Sequence, residues 1–213
     1  TQPAMVYLSH PAENGTIYSL SELEEIRAVC GKWHLFLFLD GARLGYALAS
    51  PKNDVSLQDL ARLTDVFYIG GTKVGALFGE AVVISHPGLA RDFRYHIKQR
   101  GGMLAKGWLL GLQFDVLLEN DRYMAISRKA VAQAMEIKKA FEEVGVPFWS
   151  DSYTNQLFPI LPNEALKQFD ENYVYNAGEK LDEGHTVARF CTSWATTDAQ
   201  VQALIADIHR ILG

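Results

Sequence analysis

The chain has 213 residues, 48% of them hydrophobic and 21% charged, the composition of a packed protein and not of a disordered one. Its formal net charge is −5, from 20 basic and 25 acidic residues. Without a basic block or an apolar run of membrane-spanning length, neither nucleic acid nor membrane is an expected partner. The two isolated cysteines, Cys30 and Cys191, offer no metal spacing and no disulfide framework, and the first residues lack the pattern of a signal peptide, so a cytoplasmic location is expected.

The first element is an apolar strand, Met5–Ser9, followed by the loop HPAENG. Ser19 and Glu22 have the spacing of a capping box, and Leu20, Leu23, Ile26 and Ala28 give the helix behind them an apolar face ending near Gly31. Leu35 to Leu39 is a second strand, delivering Asp40 at its end; strand, helix and strand in this order imply a parallel βαβ unit. A short helix over Leu44 to Ala49 and a second, capped near Ser56, lead to the strand Val66–Ile69. Gly70-Gly71-Thr72-Lys73 follows, and Glu80 to Ser85 is the next strand.

Leu89 to Gln99 is helical in pattern and basic, and helices are predicted over Leu104 to Leu118 and Asp121 to Val144. From Phe148 the texture changes to short strands, Asn155–Leu161, Tyr173–Tyr175 and Val187–Ser193, with helices over Asn163 to Phe169 and Thr197 to Leu212. The expected class is α/β, with residues 1–120 in a large unit built on a mainly parallel sheet, 121–145 a connecting helix, and 146–213 a small α+β unit.

Two charged residues stand where apolar strands stop. Ligands of open α/β sheets bind at the carboxyl ends of the strands, so Asp40 and Lys73 are candidates for one pocket. A carboxylate and an amine presented in this way are what a pyridoxal phosphate enzyme needs, the first to keep a proton on the pyridine nitrogen and the second to form the Schiff base. The bland readings are an Asp-Gly turn and an exposed loop lysine. Gly70 and Gly71 suit either a close backbone approach or positive φ. Arg43, three residues after Asp40, has the planar fork that matches a carboxylate or phosphate, or else makes a surface ion pair. Arg189 interrupts the run Val187-Ala188-Arg189-Phe190; it either faces solvent or meets an anion. The basic residues Arg91, Arg94, Lys98, Arg100 and Lys106 form a solvated helix face or a patch facing a phosphate or a subunit. The six histidines show no metal spacing, no metal site is expected, and neither G-x-S-x-G nor a Walker loop is present.

The segments LFLDGARLG, FYIGGTKVGALFGEAVV, KQRGGMLAKG, TNQLFPILP and VARFCTSW resemble, in that order, the pyridoxal phosphate-dependent L-threonine aldolases. These belong to the β-eliminating lyase group within the aspartate-aminotransferase superfold (fold type I). The resemblance runs from about Met5 to Leu212. It implies that Lys73 is the Schiff-base lysine, that Asp40 pairs with the pyridine nitrogen, and that Arg43 sits by the cofactor ring and the substrate carboxylate. It also implies that Arg189 clamps that carboxylate, and it places Asn155 in the family's T-N segment. The implied reaction is retro-aldol cleavage of a β-hydroxy-α-amino acid, L-threonine or L-allo-threonine, to glycine and an aldehyde. The alternatives are β-elimination from an amino acid, or a non-catalytic remnant acting in assembly.

The sequence departs from the family at Leu104, where an arginine for the cofactor phosphate is usual, and at Ile97, which has Lys98 beside it. The family's N-terminal portion, with its phosphate loop, stacking histidine and first substrate-site serine, has no counterpart here. The expectation is therefore the C-terminal part of a longer protein, inactive alone, which needs that segment and forms a homodimer or homotetramer.

Overall fold

In a computed structural model, which describes residues 2–213, four strands form a first sheet in the order β1-β2-β3-β4. They are β1 (Met5–Ser9), β2 (Phe36–Asp40), β3 (Val66–Gly70) and β4 (Glu80–Ile84). β1, β2 and β3 are parallel, as the βαβ pattern requires, and β4 returns antiparallel to β3. The register sets Ser9 beside Asp40 and Gly70 beside Glu80, so the polar strand ends gather along one edge.

Local chemistry explains the helices on this sheet. α1 (Leu20–Lys32) opens with the Ser19–Glu22 capping box. α2 (Leu44–Leu48) follows β2, and α3 (Leu57–Leu63) starts at a second reciprocal cap, Ser56 with Asp59. α4 (Pro87–Ala90) and α5 (Phe93–Gln99) split the single basic helix expected from the pattern, with Asp92 at φ 56° between them. α6 spans Trp108–Leu118 and begins four residues later than predicted.

The strands of the first sheet are buried on one face only. Leu39, Phe67 and Ile69 enter a core with Leu23, Leu44, Tyr46 and Leu60. The other face carries Met5, Tyr7, Phe36 and Val82, all of them exposed. Tyr7 stacks on Phe38, with ring centroids 5.3 Å apart, and Phe38 lies 6.1 Å from Tyr68.

The long helix α7 (Arg122–Glu143) serves two cores. Its first half places Ala130 and Val131 against the first sheet, and its second half places Ala134, Ile137, Ala140 and Phe141 against a second body. That body contains β5 (Gln156–Leu157), β6 (Ile160–Pro162), α8 (Asn163–Phe169), β7 (Asn176–Lys180), β8 (His185–Cys191) and α9 (Asp198–Leu212). β8 pairs antiparallel with β5, β6 and β7. The strand predicted at Tyr173–Tyr175 lies instead at Asn176–Lys180. The two tyrosines are tied down in the preceding loop, Tyr173 by Asp207 (2.8 Å) and Tyr175 by Asp170 (2.5 Å). An exposed strand reading NAGEK has no apolar alternation to reveal it.

Candidate active site

Asp40 ends β2 on the open face of the sheet. The Ala42 amide donates to its Oδ1 at 2.9 Å, and the Tyr7 hydroxyl donates to its Oδ2. Burial pushes this carboxyl up, but the hydroxyls of Tyr68 and Tyr7, the Ala42 amide and the charge on Lys73 outweigh it, and the net direction is down. Asp40 is therefore an anion at neutral pH.

Lys73 lies in a single 3-10 turn, Thr72–Val74, directly after β3. Burial lowers its ammonium pKa, and the Arg43 charge lowers it further. Glu80 and Asp40 act in the opposite sense without cancelling the shift. Glu80 accepts from the Gly71 amide at 3.2 Å, and burial raises its own carboxyl. Asp40, Arg43, Lys73 and Glu80 thus act on one another electrostatically, although they come from two segments about thirty residues apart.

The turn before Lys73 is made by close approach. A Cβ on Gly41 would lie 1.9 Å from the Tyr68 carbonyl oxygen, and one on Gly70 would lie 2.4 Å from the Ala42 carbonyl oxygen. Neither has positive φ, so the glycines let the two strand ends touch each other. The Gly70 amide donates to the Gly41 carbonyl at 2.9 Å and locks that contact.

Two buried tyrosines fix the surrounding backbone. Tyr123, on α7, donates to the Gly70 carbonyl and accepts from the Gly45 amide, each at 3.0 Å. Tyr46, on α2, donates to the Lys73 carbonyl. Burial pushes both phenols well up, so they remain neutral donors. Pattern reading found none of the four tyrosines, because a tyrosine in an apolar segment reads as core; only its hydroxyl partner shows otherwise.

Arg189 is more remote. It is half-buried on β8, donates to Asn176 at 2.8 Å, and keeps a buried Nε with no partner among the described residues. It lines a cavity of about 240 Å³ with Trp149, Phe158 and Val187. Burial raises the thiol of Cys191, and the charges of Arg189 and Arg43 both act on it in the opposite sense. Asn155 stands apart: its Nδ2 donates to the Thr192 carbonyl at 2.7 Å. It lines a different cavity, of about 630 Å³, with Leu157, Phe190 and Leu204. The segment bearing Arg94, Lys98 and Arg100 is exposed.

The donor set fits pyridoxal phosphate at the ring and the aldehyde. An ionised carboxylate with spare lone pairs suits a ring N–H, a half-buried amine of depressed pKa suits a carbonyl, and the orphaned Arg189 Nε suits a carboxylate.

The chain matches the family profile described as beta-eliminating lyase over residues 1–163. It is 30% identical over 220 residues to the low specificity L-threonine aldolase of Pseudomonas aeruginosa, covering 100% of this chain and 61% of that protein. The enzyme of the same name from Pseudomonas sp. gives 30% over 217 residues, 99% of this chain and 60% of that protein. A solved structure of Leishmania major threonine aldolase superposes with a TM-score of 0.96 and 43% identity, over 99% of this chain and 62% of that one. Serine palmitoyltransferase from Sphingomonas wittichii, with a TM-score of 0.67 and 14% identity over 98% of this chain and 54% of that one, shares the fold. The chain spans about three fifths of the length of the threonine aldolases it matches.

Proposed function

The chain belongs to the β-eliminating lyase family, and from that premise we propose that it carries the lysine and the carboxylate of a pyridoxal phosphate enzyme that cleaves β-hydroxy-α-amino acids. The products are glycine and an aldehyde, as from L-threonine or L-allo-threonine. The observation that carries this reading is the approach of an ionised Asp40 to a Lys73 amine of lowered pKa at adjacent strand ends. The threonine aldolases to which the chain is similar support the substrate class.

Bound at this site, pyridoxal phosphate supplies the electron sink that lets the Cα–Cβ bond break. The chain's own residues do the rest. Lys73 presents an amine that deprotonates more readily than an exposed lysine, because burial and Arg43 disfavour its ammonium form. Asp40, held as an anion, would be the residue that keeps a proton on the ring nitrogen. Arg43 and the unpartnered Arg189 Nε are suited to a substrate carboxylate, which orients the amino acid through paired, directional hydrogen bonds. Tyr46 and Tyr123 hold the backbone of the Lys73 turn.

The proposal extends to the organisation of the protein. Residues 1–120 form a cofactor unit, 121–145 a connecting helix and 146–213 a small unit, a division supported by the two cores that meet on α7. Turnover draws on a segment beyond these residues, in line with the three-fifths coverage of the relatives. The exposed Trp108, Leu109, Leu112 and Val116 on α6 favour a homodimer or homotetramer. No helix of the described residues is long and apolar enough to cross a membrane, and the two free cysteines fit a cytoplasmic location.

The test is product analysis with L-threonine in the protein that carries this chain. Acetaldehyde and glycine are expected. A 2-oxo acid and ammonia would replace this reading with β-elimination, and the absence of either product pair would leave an assembly role.

A further inference from the structure

The Asp40 carboxylate accepts from the hydroxyl of Tyr7, and Tyr68 on the opposite neighbouring strand also favours its ionised form. Tyr7 comes from β1, with its ring stacked on Phe38 at 5.3 Å and its hydroxyl on Oδ2. Tyr68 comes from β3, on the other side of Phe38. The Ala42 amide takes Oδ1. An ionised carboxylate has about four lone-pair positions, so Tyr7 and the Ala42 amide leave room for further hydrogen bonds. Tyr7 itself is 54% exposed, and its stacked ring contributes little to the core.

We propose that Tyr7 and Tyr68 are positioning residues that aim the Asp40 carboxylate and keep it the weaker base, so that a proton shared with a ring nitrogen stays on the ring. This rests on the pyridoxal phosphate reading above and deepens it. A donor to a carboxylate stabilises its charge and lowers its affinity for a proton. Two phenols do so without adding a cation, which would itself repel a protonated ring. Their own acidity is suppressed: Tyr7 by its bond to Asp40 and by burial, Tyr68 by burial and by Asp40. They therefore stay neutral donors. The other charges facing this group are Lys73 and Glu80, with Arg43 acting on Lys73 and Glu13 on Tyr7. Of these, only Lys73 helps hold the proton off Asp40.

The test uses Tyr7→Phe and Tyr68→Phe, which keep the rings and remove one oxygen each. In cofactor-free protein, the carbon-13 shift of the Asp40 carboxyl is titrated with pH. The midpoint is expected to move upward in each variant and furthest in the double variant. In protein loaded with pyridoxal phosphate, retention at the acidic end of the titration should weaken by about tenfold per hydroxyl, the size of one hydrogen bond to a charged group. Unmoved midpoints in both single variants would overturn the proposal. Moved midpoints in a protein that binds no pyridoxal phosphate would overturn the cofactor reading and leave only the phenol–carboxylate coupling standing. Asp40→Asn serves as the control that should abolish the titration.

Discussion

Tyr46 donates its hydroxyl to the carbonyl oxygen of Lys73, and so the helix after β2 holds the turn after β3. Tyr46 is completely buried, and it reaches across 27 residues of sequence to do this. In Tyr46→Phe the Lys73 carbonyl loses its partner. We expect about 1–2 kcal/mol of lost stability, and slower covalent capture of pyridoxal phosphate because the amine is less well placed. Denaturant midpoints and borohydride-trapping rates check the two effects separately. An unchanged trapping rate would show that the turn holds itself.

Arg43 acts on Lys73 as a like charge, so Arg43→Gln should raise the Lys73 pKa. The pH at which pyridoxal phosphate and borohydride label Lys73 to half-completion then moves upward. In Glu80→Gln it moves downward, because Glu80 favours the ammonium form. Shifts of the same sign in both variants would contradict the electrostatic assignment. Lys73→Ala should remove the label altogether.

Tyr123 satisfies two backbone groups at once, the Gly70 carbonyl and the Gly45 amide. Tyr123→Phe strands both inside the core and should cost about 2 kcal/mol. Gly41→Ala drives a methyl into the Tyr68 carbonyl, 1.9 Å away, and should cost about 3 kcal/mol or more. Urea unfolding measures both. A Gly41→Ala protein of normal stability would mean that the strand ends separate easily.

Burial holds His10 neutral and lowers its pKa to about 4, against a small opposing effect of Asp54. An unfolded histidine titrates near 6.5. Between these values the unfolded chain binds the extra proton, so stability falls as pH drops from about 6.5 to 4. The total loss is on the order of 3 kcal/mol. His10→Gln should flatten that part of the pH–stability curve. An equally steep curve in the variant would assign the slope to other groups.

On the proposed role of Arg189 as a partner of the substrate carboxylate, Arg189→Ala should raise the KM for the amino acid by at least tenfold, with a smaller effect on kcat. Restoration by free guanidinium would confirm the contact. Unchanged kinetics would confine Arg189 to its bond with Asn176.

The strands of the first sheet and the helices α1 to α3 were legible in the sequence because their signals are local. Apolar runs of strand length, reciprocal caps at Ser19–Glu22 and Ser56–Asp59, and a charged residue where a strand stops all act over a few residues. Asp40 and Lys73 were singled out in this way, and the parallel pairing of β2 and β3 sets the strand ends that precede them side by side. What the sequence could not contain was the set of hydroxyls packed around these two residues. Tyr7 reaches Asp40 across 33 residues and Tyr123 reaches Gly45 across 78, and each reads as core until the chain is packed. Likewise β7 has no pattern of its own; it exists because its neighbour β8 offers an edge of unpaired backbone groups. Charge at a strand end is a property of a segment, whereas the partner of a buried polar atom is decided only by tertiary packing.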